Sequence, residues 1–176
     1  MMAVVCLAVG LGLSCSSGTS RTGPPEPEDP TPPPVSGVKV IKPEILVKSE
    51  DGKSSFIVNA KDSEISVTEE GPNYGTLSGV TGSIKRLETL ASTFSSNDAQ
   101  VDRNQHVLTL TGNVVVTGEE RGLVLHAESV KYDQGLDRIE AAGSVTVTSA
   151  TMVLGPMPKL LATPDLKHIA TPGKFK

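Results

Sequence analysis

The sequence contains no tryptophan, and its three Phe and two Tyr make aromatics only 3% of 176 residues. A core built from this chain must therefore rely on Val, Ile, Leu and Ala. Both cysteines, Cys6 and Cys15, lie within the first fifteen residues, so no disulfide can staple the body of the chain. Basic clusters are also missing: Lys85-Arg86 is the one adjacent basic pair, and the net charge is −4. Because phosphate backbones are held by clustered Lys and Arg, this argues against nucleic acid as a partner.

Signatures of catalysis and metal binding are missing too. Ser54-Ser55 and Ser95-Ser96 lack a Gly-x-Ser-x-Gly setting. Gly79 and Gly82 are not followed by the Lys-Ser/Thr of a phosphate loop. His106, His126 and His168 are scattered, none with a partner at metal-ligand spacing. Glu69-Glu70 and Glu119-Glu120 lie beside Gly71, Gly118 and Gly122, which suits solvated turn tips better than paired catalytic carboxylates. The expectation is a protein that is not an enzyme and carries no metal or cofactor.

What the sequence does have begins with an apolar stretch over 2–13, free of charge. About a dozen such residues suit the hydrophobic region of a signal peptide and fall short of the ~20 that span a bilayer as a helix. Leu13-Ser14-Cys15-Ser16 follows, a small residue before Cys at the end of the apolar stretch. This resembles the bacterial lipoprotein cleavage motif, although Gly12 stands where Leu is usual and no Lys or Arg precedes Arg21. By that resemblance residues 1–15 are a lipoprotein-type signal, and Cys15 becomes a lipidated N-terminus held durably in a membrane. A plain cleaved signal or a short uncleaved anchor is the alternative. Residues 16–37 carry Pro24, Pro25, Pro27, Pro30, Pro32, Pro33 and Pro34 and almost no large apolar side chain. Such a segment cannot bury a core, and it reads as a disordered, extended tether of ~3 Å per residue.

From residue 38 to 176 the period is two. Leu108, Leu110, Val114 and Val116 share one parity, whereas Thr109, Thr111, Asn113 and Thr117 share the other. That is a strand with one apolar and one wet face. Ile139, Ala141, Val145 and Val147 repeat the pattern, opposed by Glu140, Ala142, Thr146 and Thr148. The two stretches match at an offset of 31 residues: Val101-Asp102 against Tyr132-Asp133, Leu108 against Ile139, Gly112 against Gly143, Val116 against Val147. Asp102-Arg103-Asn104 and Asp133-Gln134-Gly135 are turn material. Gly112 and Gly143 mark a bulge or a corner where the sheet bends. A weaker copy runs through Asn59-Ala60-Lys61-Asp62 and Gly79-Val80-Thr81-Gly82. A fixed period means that each unit buries its apolar face only by stacking on its neighbours. Strands are expected near 39–48, 54–60, 62–69, 76–85, 90–101, 105–117, 122–131, 136–149 and 151–155, with a last short one at 160–170. No window carries a helical stripe, so the body is read as a single all-β domain.

Three segments carry a resemblance to a family. They are Lys42-Pro43-Glu44-Ile45 leading to Asp51-Gly52-Lys53 and Val58-Asn59-Ala60, then 125–133 around His126-Ala127-Glu128, then 139–147 around Ala142-Gly143-Ser144. In order and spacing they resemble the periplasmic lipopolysaccharide-transport proteins of the LptC/LptA (OstA-like) family, over about four-fifths of the chain. The resemblance implies a twisted β-jellyroll, open at both ends, that holds lipid acyl chains inside and docks edge to edge with other jellyrolls. Its partners would be lipopolysaccharide or a related glycolipid, the other jellyroll proteins of an export bridge and an inner-membrane ABC transporter. The membrane-attached N-terminus favours an LptC-like member at the inner membrane, on the periplasmic side of the cell envelope. The strength of the 31-residue repeat leans toward LptA-like relatives.

The expected lipid-facing residues are Val58, Leu108, Leu110, Val114, Val116, Leu125, Ile139, Val145 and Val147. Each is equally at home as ordinary core. Lys85, Arg86 and Lys131 suit either lipid phosphates or a solvated face. The rival expectation is a structural or adhesive surface lipoprotein, a closed β-sandwich with no lipid cargo.

Overall fold

The computed structural model describes residues 38–68 and 71–175. The signal stretch, Cys15 and the Pro-rich segment lie outside the described residues. Among those described there is no helix. Eleven strands form one antiparallel sheet: β1 (Val38–Ile41), β2 (Glu44–Lys48), β3 (Ser54–Asn59), β4 (Asp62–Thr68), β5 (Gly71–Arg86), β6 (Thr89–Asp102), β7 (Val107–Gly118), β8 (Val124–Asp133), β9 (Arg138–Thr148), β10 (Val153–Ala162) and β11 (Ile169–Ala170). The domain is all-β, an open, twisted, jellyroll-like sheet.

From β5 to β10 the chain is a meander in which each strand pairs with the next. The free edge of the long β5 is shared: β4 pairs with 71–78 and β3 with 81–86. β1 and β2 add one further layer of pairing, on β4 and β3. The expected strand 39–48 is thus two strands, broken at Lys42, whose φ is 55°, and Pro43. The pieces expected at 151–155 and 160–170 are corrected in the other direction. β10 runs from 153 to 162 through Pro156 and Pro158, with register shifts between Leu154, Met157 and Lys159. On an edge strand the missing N–H groups of proline cost no ladder bond, so they mark a bulge rather than an end.

A line of irregular positions crosses the sheet. The ladder slips between Ser95 and Asp98, between Thr111 and Val114, between His126 and Ser129, and again around Met157. On β7 and β9 the slip takes the same form. Gly112 and Asn113 have φ of 75° and 49°, and Gly143 and Ser144 have φ of 78° and 47°. Two successive left-handed residues turn the strand sharply, and glycine at the first adopts that region without a Cβ clash. A Cβ on Gly143 would also collide with the Glu128 side chain, and one on Gly112 with Asn97.

The sheet folds along this crease, and its two halves enclose one apolar core. Phe56 on β3 and Tyr132 on β8 are not sheet neighbours, yet their rings meet edge to face at 5.8 Å between centroids. The core is one continuous cluster of Val, Leu, Ile and Ala with these two rings and Phe94.

Candidate functional site

All nine residues expected to face lipid point into this interior. Val58 comes from β3, Leu108, Leu110, Val114 and Val116 from β7, Leu125 from β8, and Ile139, Val145 and Val147 from β9. None is more than 2% exposed, and all belong to the same cluster. β7 and β9 keep their parity across the crease because each inserts a two-residue turn there.

Their neighbours do not, and the residues that sequence reasoning passed over lie mostly on these strands. On β8 the buried positions change from Leu125 and Ala127 to Val130 and Tyr132; on β6 they change from Phe94 and Ser96 to Ala99 and Val101. β5 changes likewise between Leu77 and Val80. The sequence signal for such a change is an apolar spacing of two that skips to three at the crease, as from Ala127 to Val130.

Opposite the crease, the turns at the strand ends meet and form a mouth. A cleft of ≈ 840 Å³ opens there, lined from the β2–β3, β5–β6, β6–β7, β7–β8 and β8–β9 turns and from the segment after β10. None of the nine interior residues lines it. The two turns of the 31-residue repeat touch at this end. Asp102 Oδ1 accepts from the backbone N–H of Asn104 and Gln105, and Asp133 Oδ1 accepts from that of Leu136. Each turn ends in a left-handed residue, His106 in one and Asp137 in the other. The Gln134 N–H donates to the His106 carbonyl at 3.1 Å, and His106 Nδ1 lies 3.2 Å from Gln134 Oε1.

Arg86 crosses the mouth. From the end of β5 its Nη2 meets Asp137 Oδ2 at 2.7 Å, and its Nη1 lies 3.5 Å from Asp165 Oδ2. The guanidinium thus joins one half of the folded sheet to the turn of the other half and to the chain after β10. Lys167 pairs with Glu120 and stands 3.9 Å from Asp165. Of the three cations named from sequence, Arg86 is therefore held by carboxylates, whereas Lys131 stands exposed on the outer face.

The carboxylates answer differently to this setting. Burial holds Asp137 above its ordinary value; Arg86 opposes that shift and Asp165 adds to it. Burial also pushes Asp165 upward, but the Thr163 hydroxyl at 2.6 Å, the Lys167 amide at 3.1 Å and the nearby cations outweigh it and leave the carboxyl below its ordinary value.

Beneath the mouth several polar atoms are buried without a hydrogen-bond partner: Tyr132 Oη, Gln134 Nε2, Asp137 Oδ1 and Ser92 Oγ. An orphan of this kind costs about 1–3 kcal/mol. The Tyr132 phenol is pushed up to about 12, by burial first and by the Asp137 carboxylate next. The Ser54 hydroxyl favours its ionised form slightly without meeting it at hydrogen-bond geometry. Among the described residues no cluster of three or more His, Cys, Asp or Glu is arranged to hold a metal ion.

The sheet edges are the other exposed backbone surface. Among the described residues β1 and β2 have a partner on one side only, and β10 is paired on its outer side only at Leu161 and Ala162. β2 is regular and proline-free, with Leu46 exposed on it. Comparisons with protein-family models and with curated proteins give no match for this chain.

Proposed function

We propose that this protein is a lipid-transport module of the cell envelope, of LptC-like type, which holds acyl chains between the two halves of its folded sheet and docks with partner jellyrolls through its sheet edges. The observation that carries the reading is the single aliphatic interior. One folded sheet lines it from both sides, with only Phe56, Phe94 and Tyr132 as large rings in the described cluster. Flexible aliphatic walls can part around hydrocarbon, and each CH₂ of lipid so buried returns ~0.8 kcal/mol. The outer sides of β1 and β2, unpaired among the described residues, and that of β10 before Leu161 support docking by strand addition. Lipidation at Cys15 and a Pro-rich tether over 16–37 would place the domain on the periplasmic side of the inner membrane. Lipopolysaccharide or a related glycolipid is the cargo that the family resemblance implies, with an inner-membrane ABC transporter supplying it. No step of this function needs a catalytic group, a metal or a cofactor.

A second reading, a structural or adhesive surface lipoprotein with a closed sandwich, is favoured by the near-complete burial of all nine interior side chains. Photo-crosslinking separates the two. A photoreactive amino acid at Leu110 or Val116, in protein expressed in an envelope-bearing host, is expected to capture glycolipid detectable by mass spectrometry. Protein that purifies free of lipid and crosslinks only to itself would establish the closed sandwich instead.

A further inference from the structure

We infer that the mouth of the fold is the entrance by which a hydrocarbon chain reaches the interior, and that Arg86 with Asp137 and Asp165 forms the clasp that keeps it shut. This rests on the lipid-binding reading of the interior and adds the route and the gate.

Three independent features converge on that place. The first is a pair of leucines at the mouth: Leu87 lines the cleft, and Leu136 stands between the lining residues Gly135 and Asp137. Leu87 follows Arg86 on the β5–β6 turn and is 72% exposed; Leu136 precedes Asp137 on the β8–β9 turn and is 59% exposed. Leu87 holds a φ of 48° and its neighbour Glu88 one of 63°, a conformation that turns normally assign to Asn or Gly. Neither leucine contributes to the core, and two apolar side chains on turns joined by the Arg86–Asp137 ion pair offer an apolar ligand its first contact at the mouth.

The second feature is what lies behind the lips. Leu90 and the buried Ala91 continue the apolar line from Leu87 along β6 into the cleft. The Tyr132 ring, in contact with Phe56, begins the core on the opposite half. The third is the polar layer between cleft and core. Gln134 is only 4% exposed and lines the cleft, yet its amide nitrogen has no partner, and the Tyr132 hydroxyl and Asp137 Oδ1 are equally alone. Parting the lips hydrates these groups, which offsets part of the cost of breaking the clasp. A seam with such relief opens before one that is fully satisfied. The ligand class is an amphiphile: its chain enters past Leu87 and Leu136, while its polar head remains in the cleft beside Lys53 and Lys167.

The test follows uptake of pyrene-labelled palmitate by the full-length protein in stopped flow. The clasp is a partly solvated ion pair, so Arg86→Ala is expected to take up the probe about fivefold faster to the same final amplitude. Arg86→Lys, which keeps a cation at the mouth, should return the rate toward wild type. Leu87→Ser combined with Leu136→Ser leaves the clasp intact and should slow uptake about fourfold, the effect of taking roughly one methylene out of the apolar path. This double variant decides the matter if Arg86→Ala does not fold. Uptake at wild-type rates in folded Arg86→Ala, or in the leucine double variant, overturns the entrance while leaving the lipid-binding interior in place. Absence of uptake by every variant, with no lipid in mass spectra of the purified protein, overturns both.

Discussion

Tyr132 is the largest of the fully buried side chains, and its hydroxyl is a liability that the ring's packing outweighs. The edge-to-face contact with Phe56 joins the two halves of the sheet, while the phenol oxygen is buried with no protein hydrogen-bond partner among the described residues. The native protein holds the phenolic proton up to about 12, whereas an unfolded chain releases it near pH ~10. Between those values the native state binds more protons than the unfolded state, so stability falls as pH rises through that window, by about 2–3 kcal/mol in all. Below pH ~10 the effect is absent. Tyr132→Phe should therefore exceed wild-type stability at pH 7, by about 1–3 kcal/mol for the orphan removed, and should lose the alkaline decline. Urea denaturation at pH 7 and pH 11 checks both; a large loss at pH 7 would mean the hydroxyl has a partner after all.

At the scale of the element, the crease decides how the strands use their side chains. β7 and β9 pass it with a Gly-Asn and a Gly-Ser pair in left-handed conformation, whereas β6 and β8 pass it with a change of parity. Gly143 carries the tighter constraint, since at a similarly unfavourable φ an added Cβ meets Glu128 more closely than one on Gly112 meets Asn97. Gly143→Ala should cost about 2 kcal/mol or more, of which about 1 is conformational. Adding Glu128→Ala should recover the part of the steric share due to the carboxyl end of the side chain, while the clash with the Cβ at position 128 and the conformational share remain. A double-mutant cycle in urea gives the coupling directly, and additive losses would show that Glu128 does not confine this position. The period of two made β7 and β9 legible from sequence, with Gly112 and Gly143 identified as a corner. β5, β6 and β8 were legible as strands, but their inward residues were only half so, because a parity change breaks the alternation by which inward positions are recognised.

For the molecule as a whole, the question is whether the folded sheet closes on itself or on a guest. Binding to the native state alone raises stability by RT ln(1 + [L]/Kd), so a guest held in the interior has a thermodynamic signature independent of uptake rates. Delipidated protein titrated with a lipid A-like glycolipid should unfold at rising temperature, by about 2.7 kcal/mol of added stability at a hundredfold excess over Kd. Calorimetry in which the transition stays fixed would favour the closed sandwich. The edges belong to this scale as well. β10 carries Pro156 and Pro158 on its outer stretch, which blunts that edge, whereas β2 presents a regular one with Leu46 outward. The N-terminal edge is accordingly the better template for strand addition.

The order of residues alone determined an all-β body, its two inward-facing repeats with the seven aliphatic positions on them, and Val58 and Leu125 on neighbouring strands. Those properties depend on relations between neighbours two apart or on a repeat of fixed length, and both are visible in one dimension. Only the tertiary structure decided that the sheet doubles over at the crease, that Phe56 meets Tyr132, and that Arg86, Asp137 and Asp165 close the mouth. These residues stand far apart along the chain, and their charge and burial take on meaning only where the fold brings them within a few ångströms, since Coulombic and desolvation energies depend on distance in space.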